Sequence, residues 1–164
     1  MMKRNIVPIS IRWVVLAGIL WTAPLLQAAI EAGKPEVISI KHPHDSVIHG
    51  WNAMKMIELD NQGRKDVSKA LNAALQTIFE KGGGTLYLPA GRYRLDRPLH
   101  IPPGTALRGD LSVSRTAPVN PLENTILCAY YGRDMGAQDH PLLMLDGSSL
   151  LDGMVTVSYT HLRA

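Results

Sequence analysis

Two aspartates near the C-terminus lie close enough in the sequence to be considered as an acid and base pair. Asp146 and Asp152 bracket most of the segment LDGSSLLDG, and paired carboxylates of this kind can catalyse hydrolysis. Each is followed by Gly, however, and Asp-Gly is a common turn sequence. The sequence therefore favours two turns here, and it predicts no catalytic residue. The remaining aspartates of this half also lie in or beside predicted turns, where Asp is favoured by local hydrogen bonding: Asp96, Asp110, Asp134 and Asp139.

Three consecutive glycines, Gly82 to Gly84, suggest a phosphate-binding loop. Such a loop leads from a strand into a helix, whose N-terminus supplies the positive end of its dipole, and it closes with Gly-Lys-Ser/Thr. Here a predicted helix precedes the glycines, a strand follows them, and no Lys closes the segment. The glycines are therefore predicted to end a helix, and no cofactor or cofactor-binding residue is predicted.

Three histidines lie close together in KHPHDSVIHG, at His42, His44 and His49. Such a group could hold a metal ion, but Pro43 places the first two in an extended segment. No Cys, HExxH pattern or paired carboxylate accompanies them. A solvated loop is the favoured interpretation, and no metal ligand is predicted.

The segment CAYYGRDMG holds the remaining candidates. Tyr130, Tyr131 and Arg133 could line a sugar-binding platform, since aromatic rings offer apolar area with a polar tip. A surface loop with partly buried tyrosines is the favoured alternative. Cys128 is the single cysteine and cannot form an internal disulfide. It is predicted to be a small buried residue rather than a nucleophile.

Composition limits the class of protein. The chain has 164 residues, 46% of them hydrophobic, which is enough for a packed core and fits one domain. Its formal charge of +3 comes from the two ends of the chain. Without Lys3, Arg4, Arg12 and Arg163, 13 Lys and Arg stand against 14 Asp and Glu. The near-neutral remainder argues against a nucleic-acid partner.

Residues 1–29 are typical of a secretory signal peptide. They combine a basic start, an apolar run from Trp13 to Leu26, and small residues at Ala28 and Ala29. A membrane anchor is the alternative, but the run is short for a span of about 20 residues and Pro24 interrupts it. We therefore expect cleavage after Ala28 or Ala29, no stable membrane anchor after it, and a secreted or periplasmic protein.

One amphipathic helix is predicted over residues 66–81. Apolar residues recur at helical spacing in DVSKALNAALQTIFEK, from Val67 to Phe79. Asp66 is suited to the N-cap and Gly82 to the left-handed position after the C-terminus. Upstream, MKMIELD alternates as a strand does, and NQG is predicted to be a turn.

Beyond residue 84 the pattern changes to short strands separated by Pro and Gly turns. Alternation places apolar residues on one face of each strand, as in Leu86 and Leu88, or Tyr93 and Leu95. Recurrence of such strands at about twenty residues indicates the coils of a solenoid. A sandwich or a barrel also uses short strands and stays an alternative.

At this level the sequence resembles a known family. KALNAALQTIFEKGGGTLYLPAGRYRLDRPLHIPPGTALRGD is similar to the N-terminal portion of the pectate-lyase superfamily, in its rhamnogalacturonase/epimerase-like, polygalacturonase-related branch. The resemblance covers residues 56–110 well and residues 124–155 loosely. One departure is DNQGRKDVS, which keeps Gly63 and Asp66 but lacks the paired aspartates common before the helix, so no ion site is inferred there.

The resemblance implies a mainly β protein in which an N-terminal capping α-helix precedes the first coils of a right-handed parallel β-helix. It also implies a polysaccharide substrate or ligand. Two functions remain open: a glycosidase or lyase, whose family carboxylates would lie on later coils, and a non-catalytic glycan-binding or adhesion protein. Pairs of outward-facing carboxylates would decide between these two functions, and none is apparent in this sequence. The chain is therefore expected to be an inactive fragment of a longer protein.

The last eight residues, 157–164, break the apolar pattern. VSYTHLRA resembles the translation of a transposase-type sequencing adapter. We therefore expect a truncated solenoid with a non-native tail that makes few contacts with the core. The resulting division is 1–29 signal peptide, 30–52 N-terminal extension, 53–156 β-helix portion and 157–164 tail.

Overall fold

The computed structural model describes residues 33–41, 46–112, 119–132 and 141–159, and many of these lie in short strands. In chain order the elements are β1 (Glu36–Ile40), β2 (Ser46–Asn52), α1 (Ala53–Met56), β3 (Gln62–Asp66), α2 (Ser68–Glu80), β4 (Gly84–Leu88), β5 (Gly91–Leu95), β6 (Leu99–Ile101), β7 (Thr105–Gly109), β8 (Thr125–Ala129), β9 (Leu143–Leu145), β10 (Leu150–Asp152) and β11 (Met154–Ser158).

The strands form three sheets that the chain visits in a fixed order. Sheet 1 has the order β1-β2-β4-β7-β10, sheet 2 the order β11-β8-β5-β3, and sheet 3 pairs β6 with β9. From β4 onward the chain passes through sheets 1, 2 and 3 and then returns to sheet 1. Every pair in this part is parallel, so each circuit advances by one strand spacing, about 4.8 Å. The described chain is thus mainly β with a β-helix-like arrangement, as the sequence predicted.

Side chains in register stack into rows that fill the interior. The rows include Leu86–Leu107–Leu151 in sheet 1, Tyr93–Leu127 in sheet 2 and Leu99–Leu143 in sheet 3. Five of these side chains are fully buried, namely Leu86, Leu107, Tyr93, Leu127 and Leu99, whereas Leu143 and Leu151 are partly exposed. In the last described coil Leu145, which follows Ile101 in its row, is 49% exposed. The inward alternation predicted for β4, β5 and β6 is confirmed.

Helix α2 begins later than predicted. The N-cap is Val67 rather than Asp66, and Asp66 is the last residue of β3. The reason is that the chain still follows β5, where the Val67 N–H donates to the Arg94 carbonyl at 3.0 Å. Asp66 nevertheless serves the helix start, because its carboxylate accepts hydrogen bonds from the Ser68 N–H and hydroxyl.

The end of α2 is formed as predicted. The Gly82 N–H donates to the Phe79 carbonyl at 2.9 Å and the Gly83 N–H to the Ile78 carbonyl at 3.0 Å. These two bonds define a Schellman motif with Gly82 at φ +100°. The buried face of α2 comprises Leu71, Ala74, Leu75 and Ile78. Phe79, which the periodicity placed in the apolar stripe, is half exposed.

The segment before β3 differs from its predicted structure. MKMIELD was predicted to be a strand, yet α1 occupies its first three residues and Ile57–Asp60 has no regular structure. The Asn52 side chain accepts a hydrogen bond from the Met54 N–H and so starts a helical turn. Ala53 is fully buried at that turn. Local capping therefore overrides a short alternating pattern.

Two strands, β1 and β2, lie in the segment that was predicted to be an N-terminal extension. Strand β1 pairs antiparallel with β2, and β2 pairs parallel with β4 through Trp51 and Leu86. A second apolar cluster forms there, made of Ile38, Ile40, Ile48 and Tyr87. The β structure thus starts before residue 53.

The start of the presumed tail also belongs to the fold. Val157 and Ser158 continue β11 in register with Cys128 and Ala129, and the Tyr159 N–H donates to the Ala129 carbonyl at 2.9 Å. The expectation of few contacts is therefore wrong for residues 157–159, because β8 offers them a free parallel edge. Residues 160–164 lie outside the described part of the chain.

Ser148 carries backbone strain that a glycine would relieve. Its φ is +63°, the left-handed region, and its carbonyl accepts a hydrogen bond from Gly104, which has φ +69° in the preceding coil. We expect Ser148→Gly to raise the free energy of unfolding by about 0.5–1 kcal/mol. Relief of roughly 1–2 kcal/mol of strain exceeds the entropy that Gly adds to the unfolded chain, roughly 0.5–1 kcal/mol. Urea denaturation measures the change. Ser149→Gly is the control and should destabilise; a Ser148→Gly variant no more stable than the parent would contradict the strain.

Candidate functional site

The glycine triplet has a structural role, because two of its positions leave no room for a side chain. A Cβ on Gly83 would lie 2.4 Å from the Gly104 carbonyl oxygen, and one on Gly84 would lie 2.5 Å from the Trp51 ring. The N–H groups of all three glycines already donate to backbone carbonyls, that of Gly84 to Gly104 at 3.0 Å. Their donors are therefore committed to the helix end and to the neighbouring coil rather than to an anion.

Asp146 and Asp152 do not meet as a pair. Asp146 follows β9 of sheet 3, and its carboxylate lies 2.8 Å from His100 Nε2. Asp152 ends β10 of sheet 1, and its carboxylate lies 2.6 Å from Arg108 Nη2. The Ser149 N–H donates to the Asp146 carbonyl, which makes the predicted turn at this Asp-Gly. Each aspartate ties its coil to the preceding one.

The tyrosine platform is replaced by a stack within the protein. Tyr130 lies beneath the Arg94 guanidinium, 4.6 Å from Cζ to the ring centroid. Its ring also stacks on Tyr159, with centroids 4.8 Å apart and planes at 12°. Arg94 and Tyr159 come from β5 and from the end of β11, which flank β8 in sheet 2. Tyr130 is thus engaged by protein groups on both sides. Tyr131 is half-buried, and Arg133 lies outside the described residues.

The remaining candidates stay apart from one another. His42 and His44 fall outside the described residues, and His49 is exposed on β2. Within the described ranges, no group of three or more His, Cys, Asp or Glu could hold a metal ion. Cys128 is buried on β8, and this burial raises the pKa of its thiol, as expected for a small packed residue. Among the same residues no helix has the length and hydrophobicity to cross a bilayer.

A buried hydrogen-bond centre at Asp110 was not predicted from the sequence. Its carboxylate accepts hydrogen bonds from the Tyr87 hydroxyl at 2.6 Å, the Lys41 N–H at 2.8 Å and the Ala90 N–H at 3.1 Å. The Asp110 N–H donates to Thr125 Oγ1 at 2.9 Å. One turn aspartate therefore joins the N-terminal hairpin to sheets 1 and 2.

Two buried tyrosines beside this centre are expected to make the free energy of unfolding fall at alkaline pH. Burial raises the pKa of Tyr87, reinforced by its hydrogen bond to Asp110, and burial likewise raises the pKa of Tyr93. Because the folded pKa values exceed the unfolded ones, this stability is complete below about pH 10 and is lost as the pH rises above it. The expected loss is up to about 1.4 kcal/mol per pH unit for each tyrosine.

Tyr93→Phe should reduce this slope by about half, since it removes one of the two titrations. Unfolding free energies of the parent and the variant, measured between about pH 9 and 11, test this expectation. Equal slopes in the two proteins would contradict it.

A cleft of about 480 Å³ lies at the start of α2. Its lining mixes three carboxylates with two cations, namely Glu58, Asp60, Asp66, Arg64 and Lys65. The carboxylate of Asp60 accepts hydrogen bonds from the N–H groups of Lys65, Gln62 and Arg64, which lower its pKa. This carboxylate therefore organises its own loop.

A second cleft of about 500 Å³ lies between the start of β3, the β4–β5 turn and the loop before β8. We name it the Arg92 cleft. Its lining residues are Asn61, Gln62, Ala90, Gly91, Arg92, Pro121 and Leu122. Among the described residues that line it, none is acidic, and Arg92 is the single charged one. Neither the motifs nor the composition indicated this site, because its parts are separated by up to about sixty residues of sequence.

Comparison with known proteins places part of the chain in a family. Residues 51–124 match the family described as rhamnogalacturonase A/epimerase, pectate lyase-like. The A-module of the Azotobacter vinelandii mannuronan C-5 epimerase AlgE4 is 23% identical in sequence, with a TM-score of 0.38. That similarity covers 65% of this chain and 33% of the A-module, so the chain spans about a third of that structure. No curated protein matches the chain. The matched segment contains α2, the glycine triplet and the first coils, and it belongs to the pectate-lyase-like superfamily.

Proposed function

We propose that this chain is the N-terminal portion of a secreted, carbohydrate-active β-helix protein, a polysaccharide glycosidase or lyase. The observation that carries the proposal is the family match over residues 51–124, in a segment whose strands repeat the order sheet 1, sheet 2, sheet 3. Sites on a solenoid lie along stacked coils, so the reaction of the whole protein depends on coils beyond those described.

Helix α2 acts as the N-terminal cap of a right-handed solenoid in this proposal. It takes the place that a sheet 3 strand would occupy before β6. The Asn72 carboxamide donates to the Pro98 carbonyl at 2.9 Å and accepts from the His100 N–H at 2.8 Å. These are the two hydrogen bonds that a parallel neighbour would make around Leu99. The helix also covers the interior with Leu71, Leu75 and Ile78, so the sheet 3 edge is not left open.

The catalytic coils are proposed to lie beyond this chain, which would then be an inactive fragment. Two observations support this. Asp146 and Asp152, the closest aspartate pair on the last coils, are held by His100 and Arg108. The inward-facing Leu145 is half exposed, as expected where a further coil is missing.

The contacts of Asp146 with His100 and of Asp152 with Arg108 also keep a non-catalytic alternative open. A protein whose coils carry only ion-paired carboxylates would bind or adhere to glycans rather than cleave them.

The test is to incubate the full-length gene product with a panel of plant and bacterial polysaccharides. New reducing ends indicate a glycosidase, and ultraviolet absorbance of an unsaturated product indicates a lyase. Retention in affinity electrophoresis without either product would favour the non-catalytic alternative. The proposal would be overturned if no polysaccharide retained the protein and none gave either product.

Export is proposed from residues 1–29. N-terminal sequencing of secreted or periplasmic material should begin at Ala29 or Ile30, because the signal peptidase needs the small residues that precede those positions. An exported, membrane-retained protein with an intact Met1 would contradict cleavage and favour an anchor.

A further inference from the structure

We propose that the Arg92 cleft binds an acidic sugar unit, that is, a polyhydroxylated ligand bearing a carboxylate or sulfate group. The inference rests on the proposed carbohydrate function and adds the charge of the ligand and the place where it is recognised.

The charge argument starts from the pairing of the neighbouring arginines. Arg94 lies 2.7 Å from Asp96, Arg108 lies 2.6 Å from Asp152, and Arg97 lies 4.0 Å from Asp66. The Arg92 side chain is exposed, and no hydrogen bond or ion pair joins its guanidinium to a described residue. A guanidinium with five N–H donors in a fixed fork suits a carboxylate or sulfate oxygen pair. The cleft therefore presents a cation that the described protein leaves uncompensated.

Two carboxamides supply the contacts that hydroxyl groups need. The backbones of Asn61 and Gln62 are fixed, since the Asn61 carbonyl accepts the Arg92 N–H at 2.8 Å and the Gln62 N–H donates to Asp60 at 3.1 Å. Their side chains line the cleft and have no partner among the described residues. A carboxamide offers both donors and an acceptor, which matches a hydroxyl group in either role.

The wall of the cleft is preorganised. The Gly91 N–H donates to the Asn124 carbonyl at 3.0 Å, and a Cβ at Gly91 would lie 2.9 Å from the Asn61 carbonyl oxygen. The two sides of the cleft are thus in direct contact, so little ordering remains to oppose binding. Leu122, 83% exposed, provides an apolar contact for the C–H face of a sugar ring.

The cleft at the start of α2 is the poorer candidate. Its two cations face three carboxylates, and Asp60 and Asp66 are already satisfied by backbone N–H groups. An anion would meet repulsion there, whereas the Arg92 cleft has no carboxylate in its lining.

The experiment is isothermal titration calorimetry on the full chain with three probes of equal length: a uronic-acid trisaccharide, its neutral methyl ester, and a sulfated neutral trisaccharide. Arg92→Gln removes the charge, and Arg64→Gln removes an exposed cation from the other cleft. We expect one or both acidic probes to bind the parent more tightly than the methyl ester. We also expect Arg92→Gln to weaken that binding at least tenfold, since a charge-assisted hydrogen-bond pair is lost, and Arg64→Gln to leave it unchanged.

Thermal unfolding of both variants should match the parent, because neither guanidinium supports the fold. The better of the two acidic probes identifies the anionic group. If the methyl ester bound and Arg92→Gln did not change that binding, the assignment of an acidic-sugar site to the Arg92 cleft would be overturned. The proposed function would still stand. An equal loss of affinity in Arg92→Gln and Arg64→Gln would show that only the overall charge attracts the probe. It would overturn the assignment as well. Absence of binding with all probes would also overturn the cleft, while polysaccharide cleavage by the full-length product would still uphold the function.

Discussion

Leu75→Asp is expected to unfold the chain or to cause its aggregation. Leu75 is fully buried on α2, within the cluster formed by the interior of the coils. The substitution removes its apolar contacts, which costs about 2–5 kcal/mol for a large buried side chain, and places a carboxylate among apolar groups without a partner. A domain is stable by only about 5–15 kcal/mol, so the variant should lose most of its free energy of unfolding.

Gln76→Asp is the matched control for this prediction. Gln76 is the next residue of α2 and is exposed, so it receives the same charge on the side of the helix that faces solvent. Its cost should stay within about 1 kcal/mol, because the substitution replaces the exposed hydrogen bond from Gln76 to the Glu80 carboxylate with a like-charge pair one helical turn apart. Urea denaturation monitored by circular dichroism compares the two variants. If Leu75→Asp were as stable as Gln76→Asp, α2 would have no capping role.

Asp110→Ala should lower the free energy of unfolding by about 3–5 kcal/mol. The carboxylate accepts hydrogen bonds from Tyr87, Lys41 and Ala90, and both Asp110 and Tyr87 are buried. Removing it leaves three donors without an acceptor, and each buried unsatisfied group costs about 1–3 kcal/mol, offset in part by relaxation toward solvent.

A double-mutant cycle separates this network from simple loss of packing. Tyr87→Phe should cost clearly less in the Asp110→Ala background than in the parent, because its hydroxyl has already lost its acceptor. Asp96→Ala is the control, since Asp96 pairs with Arg94 near the surface, and a pair of that kind contributes about 0–1 kcal/mol. Additive effects of Asp110→Ala and Tyr87→Phe would show that the two residues do not act together.

Sequence patterns were sufficient where one element carries its own signals. The period of α2 predicts its buried face, and Gly82 predicts its end, because both depend on residues within one or two turns of the helix. The alternation in β4, β5 and β6 predicts which residues point inwards for the same reason. The family resemblance then predicted the solenoid, which local patterns alone left beside a sandwich or a barrel.

Strand β3 and helix α1 were missed for opposite reasons. The residues of β3, QGRKD, are polar or glycine, and the strand pairs with β5 through its backbone at the edge of sheet 2. No apolar alternation could indicate it. The first residues of MKMIELD do alternate, but capping by Asn52 and burial of Ala53 make a helical turn more favourable.

The network at Asp110 and the Arg92 cleft were beyond local patterns altogether. Asp110 bonds to Lys41, 69 residues earlier in the chain, and the cleft joins Asn61 to Leu122. Such partners become neighbours only through the stacking of coils. Asp146 and Asp152 are close in sequence but have different partners, since Asp146 follows β9 of sheet 3 and Asp152 ends β10 of sheet 1.

The most direct test of the account compares polysaccharide cleavage by residues 30–164 with cleavage by the full-length gene product, on the same panel and against heat-denatured controls. We expect the full-length product to release reducing or unsaturated ends from at least one polysaccharide, and the shorter protein to release none. Release by residues 30–164 above its denatured control would contradict the account. It would make Asp146 and Asp152 the first residues to substitute.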